Sequence, residues 1–130
     1  MPEFMIDFLR SLFEPMPTSS SVHDLTSDAD WEAAVERSHE APVLIFKHSS
    51  ACPVSSRANR QMNKLAEDGD PPVYRVIVQE ARDVSSAIAA RLGIQHETPQ
   101  AILLKDGEPV FDASHYSITA ESIRDVVRET

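Results

Sequence analysis

The chain has 130 residues, 42% hydrophobic and 25% charged, enough for one domain with a real core. Its 21 acidic residues outnumber 12 basic ones, a net charge of −9 with neutral histidines, which argues against general nucleic-acid binding although a small local basic patch stays open. A single cysteine, Cys52, cannot close an internal disulfide, so a disulfide-stapled secreted scaffold is excluded and a reducing cytosol is expected.

Residues 1–21 read as an N-terminal apolar segment and linker, and residues 22–130 as the domain. Met5, Phe8, Leu9, Leu12 and Phe13 recur at helical spacing. The stretch is too short to span a bilayer, and it lacks the basic start and small-residue cleavage site of a signal peptide. A short helix docked on the domain or on a neighbour is the favoured reading, which leaves a homodimer open and makes membrane association the lesser alternative. Met1 to Phe4 also fit residues foreign to the natural chain, with Met5 its start. Glu14 to Ser21 holds two prolines and four Ser/Thr, a linker composition.

Val22 to Leu25 reads as a short strand. Ser27 then caps a helix whose Trp31, Ala34 and Val35 follow at i, i+3 and i+4, with Asp28 and Asp30 near its positive end. This helix runs to about His39, and Pro42 marks the break. Val43 to Phe46 is a continuous apolar run, as in a central strand buried on both faces. The next helix, Pro53 to about Glu67, carries Val54, Ala58, Met62 and Leu65 toward the core, and Pro53 suits its first turn. Val73 to Val78 is a strand. Asp83 caps a third helix, with Val84, Ala87, Ile88 and Leu92 inward and Gly93 at its C-terminal end. Asp106-Gly107 lies between the apolar runs Ala101–Leu104 and Pro109–Phe111, a strong hairpin signal. Thr119 caps the last helix, with Ile123, Val126 and Val127 on one face. The alternating first part predicts parallel strands joined by crossover helices, and the end an antiparallel hairpin and a helix. The fold class is α/β: a small mixed sheet flanked by helices on both faces.

The chemistry centres on Cys52, in Ser49-Ser50-Ala51-Cys52-Pro53-Val54-Ser55-Ser56 at a strand-to-helix junction. The unpaired N–H groups and positive macrodipole end of a helix start favour thiolate over thiol, the reactive species. Free cysteines often merely fill cores, but this position favours a nucleophile. Ser55 stands where a Cys-x-x-Cys loop would carry its second thiol. It is either a polar group near the sulfur or an ordinary first-turn serine, and it cannot close a disulfide, so an outside thiol must resolve any adduct. His48 is either a tuning cation for the thiol or a satisfied strand-end histidine. Lys47 reads as a solvated surface lysine. Cys52 and His48 have no evident companion ligands for a metal, and a site shared across a dimer is the remaining alternative. Only three glycines are present, and no phosphate-binding loop appears. Trp31 reads as core packing; Gln95 and His96 precede Thr98 and border the expected pocket without an assigned role, and His115 and Tyr116 carry no legible function.

Strand, one-cysteine loop, helix and Thr98-Pro99 before the hairpin resemble a thioredoxin fold over roughly Val22 to Val127. Phe46-Lys47-His48-Ser49 with Cys52-Pro53-Val54-Ser55-Ser56-Arg57-Ala58 is similar to the monothiol bacilliredoxin, YtxJ-like, family. Ala51 and Val54 depart conservatively from that pattern. The resemblance implies a thiol–disulfide oxidoreductase that removes bacillithiol, a small bacterial thiol, from mixed disulfides on cytosolic proteins. Its catalytic residues would be Cys52, Ser55 and His48. Thr98, a cis Pro99, Pro53 and Arg57 would form the substrate-binding surface, Arg57 facing bacillithiol carboxylates; an exposed helix face pairing with acids is the plainer reading for Arg57 and Arg60. Bacillithiol enters as co-substrate, and no tightly bound cofactor is required. Two other readings stay open: a redox sensor modified at Cys52 without turnover, and a scaffold whose chemistry has lapsed.

Overall fold

The computed structural model describes residues 22–130; the N-terminal helix and linker expected over residues 1–21 lie outside the described residues. The elements are β1 His23–Asp24, α1 Asp28–Arg37, β2 Val43–His48, α2 Pro53–Glu67, β3 Val73–Ile77, α3 Arg82–Leu92, β4 Gln100–Lys105, β5 Glu108–Ser114, a 3-10 turn His115–Ser117, and α4 Ala120–Glu129. They form one five-stranded sheet in the order β1-β3-β2-β4-β5. β3 is parallel to both β1 and β2, whereas β4 is antiparallel to β2 and to β5. The parallel expectation thus holds for the first three strands, and β4 enters the sheet reversed. The end of β2 and the start of β4 lie side by side, with Lys47 opposite Gln100.

β2 is buried along its whole length because helices cover both faces. On one face, Val43 and Ile45 of β2 pack with Trp31, Ala34 and Val35 of α1 and with Val84, Ile88 and Leu92 of α3. On the other, Leu44 and Phe46 pack with Ala58, Met62 and Leu65 of α2 and with Ile123 of α4. Each fully buried Val, Leu, Ile, Phe or Met among them is worth about 2 kcal/mol in apolar burial. Alternation along β2 sends neighbouring residues to opposite faces. Lys47 therefore points with Val43 and Ile45, and His48 with Leu44 and Phe46.

Local signals explain most boundaries. Ser27 and Thr119 each accept a backbone N–H across the first turn of their helix, from Asp30 and Ser122. Gly93 ends α3 in the left-handed region (φ 66°). Asp106 and Gly107 both have positive φ, 53° and 74°, as a two-residue hairpin turn requires. Two expectations need correction. The N-cap of α3 is Ala81, which offers no side-chain bond, and Asp83 sits inside the first turn, where its charge complements the helix dipole. In α2, Ser55 is buried and Val54 is only half-buried, so the inward face begins at the serine.

Candidate active site

β2 ends at His48 and α2 begins at Pro53, so the four residues between them are presented at the end of the sheet. Cys52 is the N-cap of α2 with extended backbone (φ −111°, ψ 124°). Its carbonyl accepts the Ser56 N–H at 3.0 Å, and its own N–H donates to Ser49 O at 3.4 Å. Pro53 occupies the first turn, where its missing N–H costs nothing. No acidic residue lies in that turn, so nothing offsets the partial positive charge there. Cys52 is half-buried, between exposed Ala51 and exposed Pro53, and Val54 supplies a half-buried apolar neighbour.

The loop is held from two sides. Ser49 N–H donates to Ser55 Oγ at 2.8 Å. From the end of β3, Gln79 Nε2 donates to Ser49 Oγ at 2.7 Å, while Gln79 Oε1 accepts Ser50 N–H at 3.3 Å. Ser55 is fully buried, and its hydroxyl also meets His48 Nδ1 at 2.8 Å. One buried hydroxyl thus ties the last residue of β2, the loop and the first turn of α2 together.

His48 is buried and stacks on Phe46, with ring centroids 5.5 Å apart. Burial holds its pKa below the usual imidazole value, Arg75 adds to the effect, and Ser55 and Asp24 oppose it. The ring is neutral at neutral pH and is engaged with Ser55. Among the described residues no hydrogen bond joins His48 or Ser55 to the Cys52 sulfur. Their hydrogen bonds hold the loop that carries the cysteine.

Thr98-Pro99 precedes β4, and its peptide bond is cis. Pro99 is buried, and its carbonyl accepts the His115 N–H at 3.0 Å, fixing it to the end of β5. Because β4 neighbours β2, this pair lies at the same end of the sheet as the Cys52 loop. Arg57 is placed differently. Its guanidinium lies 5.6 Å from the Tyr116 ring centroid and donates to Tyr116 O at 3.5 Å, so it pairs with an exposed aromatic rather than an acid. Arg60 is exposed.

Lys47 is a correction. Its side chain is fully buried, not solvated. Strand pairing continues past the apolar run to His48, so position 47 still points into the α1/α3 face. Its Nζ lies 3.1 Å from His96 Nδ1, and burial lowers the amine's pKa. His96 also meets Ser85 Oγ at 3.4 Å and, through Nε2, Thr98 Oγ1 at 3.0 Å. Desolvation and the adjacent Lys47 charge lower the His96 pKa, with Glu97 opposing. The sequence places His96 just before Thr98, at the border of the pocket, without a role, and gives no sign of Gln79. Each follows or precedes a strand end by a few residues, and that position was the only available signal.

Among the described residues no cluster of three or more His, Cys, Asp or Glu forms a metal-binding group, and no helix is long and apolar enough to cross a membrane.

Comparison with known proteins agrees with this geometry. The sequence profile described as monothiol bacilliredoxin BrxC matches residues 23–123. A solved thioredoxin-fold protein proposed to be an oxidoreductase is 35% identical, with 80% of this chain and 91% of that chain covered and a TM-score of 0.73. A point-mutant thioredoxin from Halobacterium salinarum superposes at a TM-score of 0.67 with 18% identity, over 86% of this chain and 92% of that one. Schistosoma mansoni thioredoxin gives 0.68 with 19% identity, over 86% and 97%. The last two share the fold alone. A thioredoxin fold with one thiol at the helix start, matched by this profile over most of its domain, places the chain in the monothiol bacilliredoxin family.

Proposed function

We propose that the protein is a thiol–disulfide oxidoreductase that strips bacillithiol from mixed disulfides on cytosolic proteins through Cys52. The observation that carries this reading is the single thiol at the N-cap of α2, with a buried serine three residues on where a second thiol would stand. The Cys52 thiolate attacks the bacillithiol sulfur of a protein–bacillithiol disulfide. A Cys52–bacillithiol bond forms, the original S–S bond breaks, and the protein thiolate leaves and takes a proton from water. A second small thiol, as thiolate, then attacks the bacillithiol sulfur on Cys52. A free disulfide is released and Cys52 leaves as thiolate. The net result is one free small thiol consumed, the protein thiol restored and one disulfide of two small thiols released.

The α2 N-terminus supports negative charge on the attacking sulfur. Ser55, His48 and Gln79 fix the loop that carries it. Thr98 and Pro99 are the platform for the incoming segment, Pro53 borders it, and Arg57 with exposed Tyr116 meets bacillithiol carboxylates. No tightly bound cofactor enters the cycle.

The test is a multiple-turnover assay with a bacillithiolated protein and excess free bacillithiol. Turnover well beyond one equivalent, abolished in Cys52→Ser, is the expected result. One equivalent of product followed by arrest would identify a sensor instead.

A further inference from the structure

Two polar groups converge on one edge of the His96 ring. Lys47 Nζ stands 3.1 Å from Nδ1, and Ser85 Oγ stands 3.4 Å from the same atom. With Lys47 as an ammonium, which only donates, Nδ1 accepts, and a neutral ring then carries its proton on Nε2. Nε2 faces Thr98 Oγ1 at 3.0 Å. Nε2–H therefore donates to the threonine oxygen, which leaves the threonine's own proton free for a further acceptor.

The placement gives this chain of bonds a use. Lys47 lies on β2 one residue before its end, opposite Gln100 at the start of β4. Thr98 lies two residues before Gln100 and next to Pro99, at the end of the sheet from which the Cys52 loop springs. Lys47 is fully buried, and among the described residues no carboxylate lies within ion-pair distance of its nitrogen. A buried, unpaired ammonium costs stability and is not expected as packing alone. The ring's surroundings are Lys47 from β2, Ser85 from α3, and Glu97 and Thr98 in its own segment, with Glu97 in turn 3.8 Å from His115.

We propose that His96 is a positioning residue: held by Lys47 in the Nε2–H tautomer, it turns the Thr98 hydroxyl into a donor aimed at the sulfur that departs when Cys52 attacks. The bond is a hydrogen bond to developing thiolate, with no proton transferred. This inference rests on the monothiol reading for its reaction, while the tautomer stands independently.

The test has two parts. First, nitrogen-15 NMR of the imidazole rings at pH 7.5 is expected to show His96 as the Nε2–H tautomer, and as a mixture in Lys47→Met. Second, the rate of Cys52 with a bacillithiol mixed disulfide is compared among variants. Thr98→Val and His96→Asn are each expected to lose roughly fivefold, the scale of one hydrogen bond. His96→Asn keeps an acceptor for Lys47 but no donor for Thr98. His96→Gln places an amide N–H near the Nε2 position and is expected to retain most of the rate. His96→Asn added to Thr98→Val is expected to cost nothing further. Alkylation of Cys52 by iodoacetamide, which needs no departing sulfur at the platform, stays at the parent rate in all of them. An Nδ1–H tautomer, a parental disulfide rate in His96→Asn, or additive losses in the double variant would overturn the proposal. Parent protein that shows the expected tautomer but no reaction with the disulfide would refute the monothiol reading instead.

Discussion

Ser55 shows how one hydroxyl can matter more for where it holds the chain than for what it donates. It is fully buried and serves His48 and the Ser49 N–H at once. Ser55→Ala leaves both without a partner, and is expected to cost about 1–3 kcal/mol in denaturant unfolding. A loss within a few tenths of zero would show that water replaces the hydroxyl. The neighbouring histidines add a pH dependence. His48 and His96 both have pKa values lowered in the fold, so the unfolded chain binds more protons wherever the two states differ. Their contribution is whole above the ordinary imidazole value near 6.5 and falls away as pH drops below it toward the folded pKa values. The denaturation midpoint of the parent is therefore expected to fall between pH 7 and pH 5 more steeply than that of a His48→Gln, His96→Gln double variant. Lys47 is depressed in the same direction by burial. Lys47→Met, which fills the same space without a charge, is expected to melt higher than the parent. Residue identity made Cys52 and Thr98-Pro99 legible in the sequence, because thiol, helix start and proline are local signals. Lys47 and His96 were not legible, since their meeting spans 49 positions and a lysine after an apolar run reads equally well as a strand exit.

At the scale of elements, the sequence signals succeeded where a single residue decides a backbone conformation. Ser27, Thr119, Gly93 and the Asp106-Gly107 turn all stand where their chemistry predicts. They failed at the start of α3, where an aspartate read as a cap lies in the first turn and no side chain caps the helix. The antiparallel hairpin of β4 and β5 stands as expected, while the antiparallel pairing of β4 with β2 is set by no local pattern. The hairpin allows a direct check. A Cβ at Gly107 would meet only ordinary contacts, the nearest His39 Cε1 at 3.6 Å, but φ of +74° strains any other residue. Gly107→Ala is expected to cost about 1 kcal/mol through backbone strain alone. A cost above about 3 kcal/mol would indicate a packing conflict not visible in the fold.

Across the whole molecule, the sheet gathers residues from distant stretches of chain at one end. Parallel β3 brings Gln79 to the loop, and reversed β4 brings Thr98 and Pro99 beside it. Helices on both faces bury Lys47 on one side of β2 and His48 on the other. The chain has a single cysteine, and on the proposed reading the central consequence is a Cys52 adduct that persists until an outside thiol arrives. Ser55→Cys should change that behaviour. A second thiol at that position makes a Cys-x-x-Cys spacing at the start of α2, so an internal bond is expected to expel the small thiol and shorten the adduct's lifetime. The most direct test is the intact mass of reduced protein after incubation with a bacillithiol mixed disulfide. One bacillithiol per chain, absent in Cys52→Ala and released by added free thiol, is the expected result. An unchanged mass, or an adduct that free thiol cannot remove, would contradict the monothiol cycle.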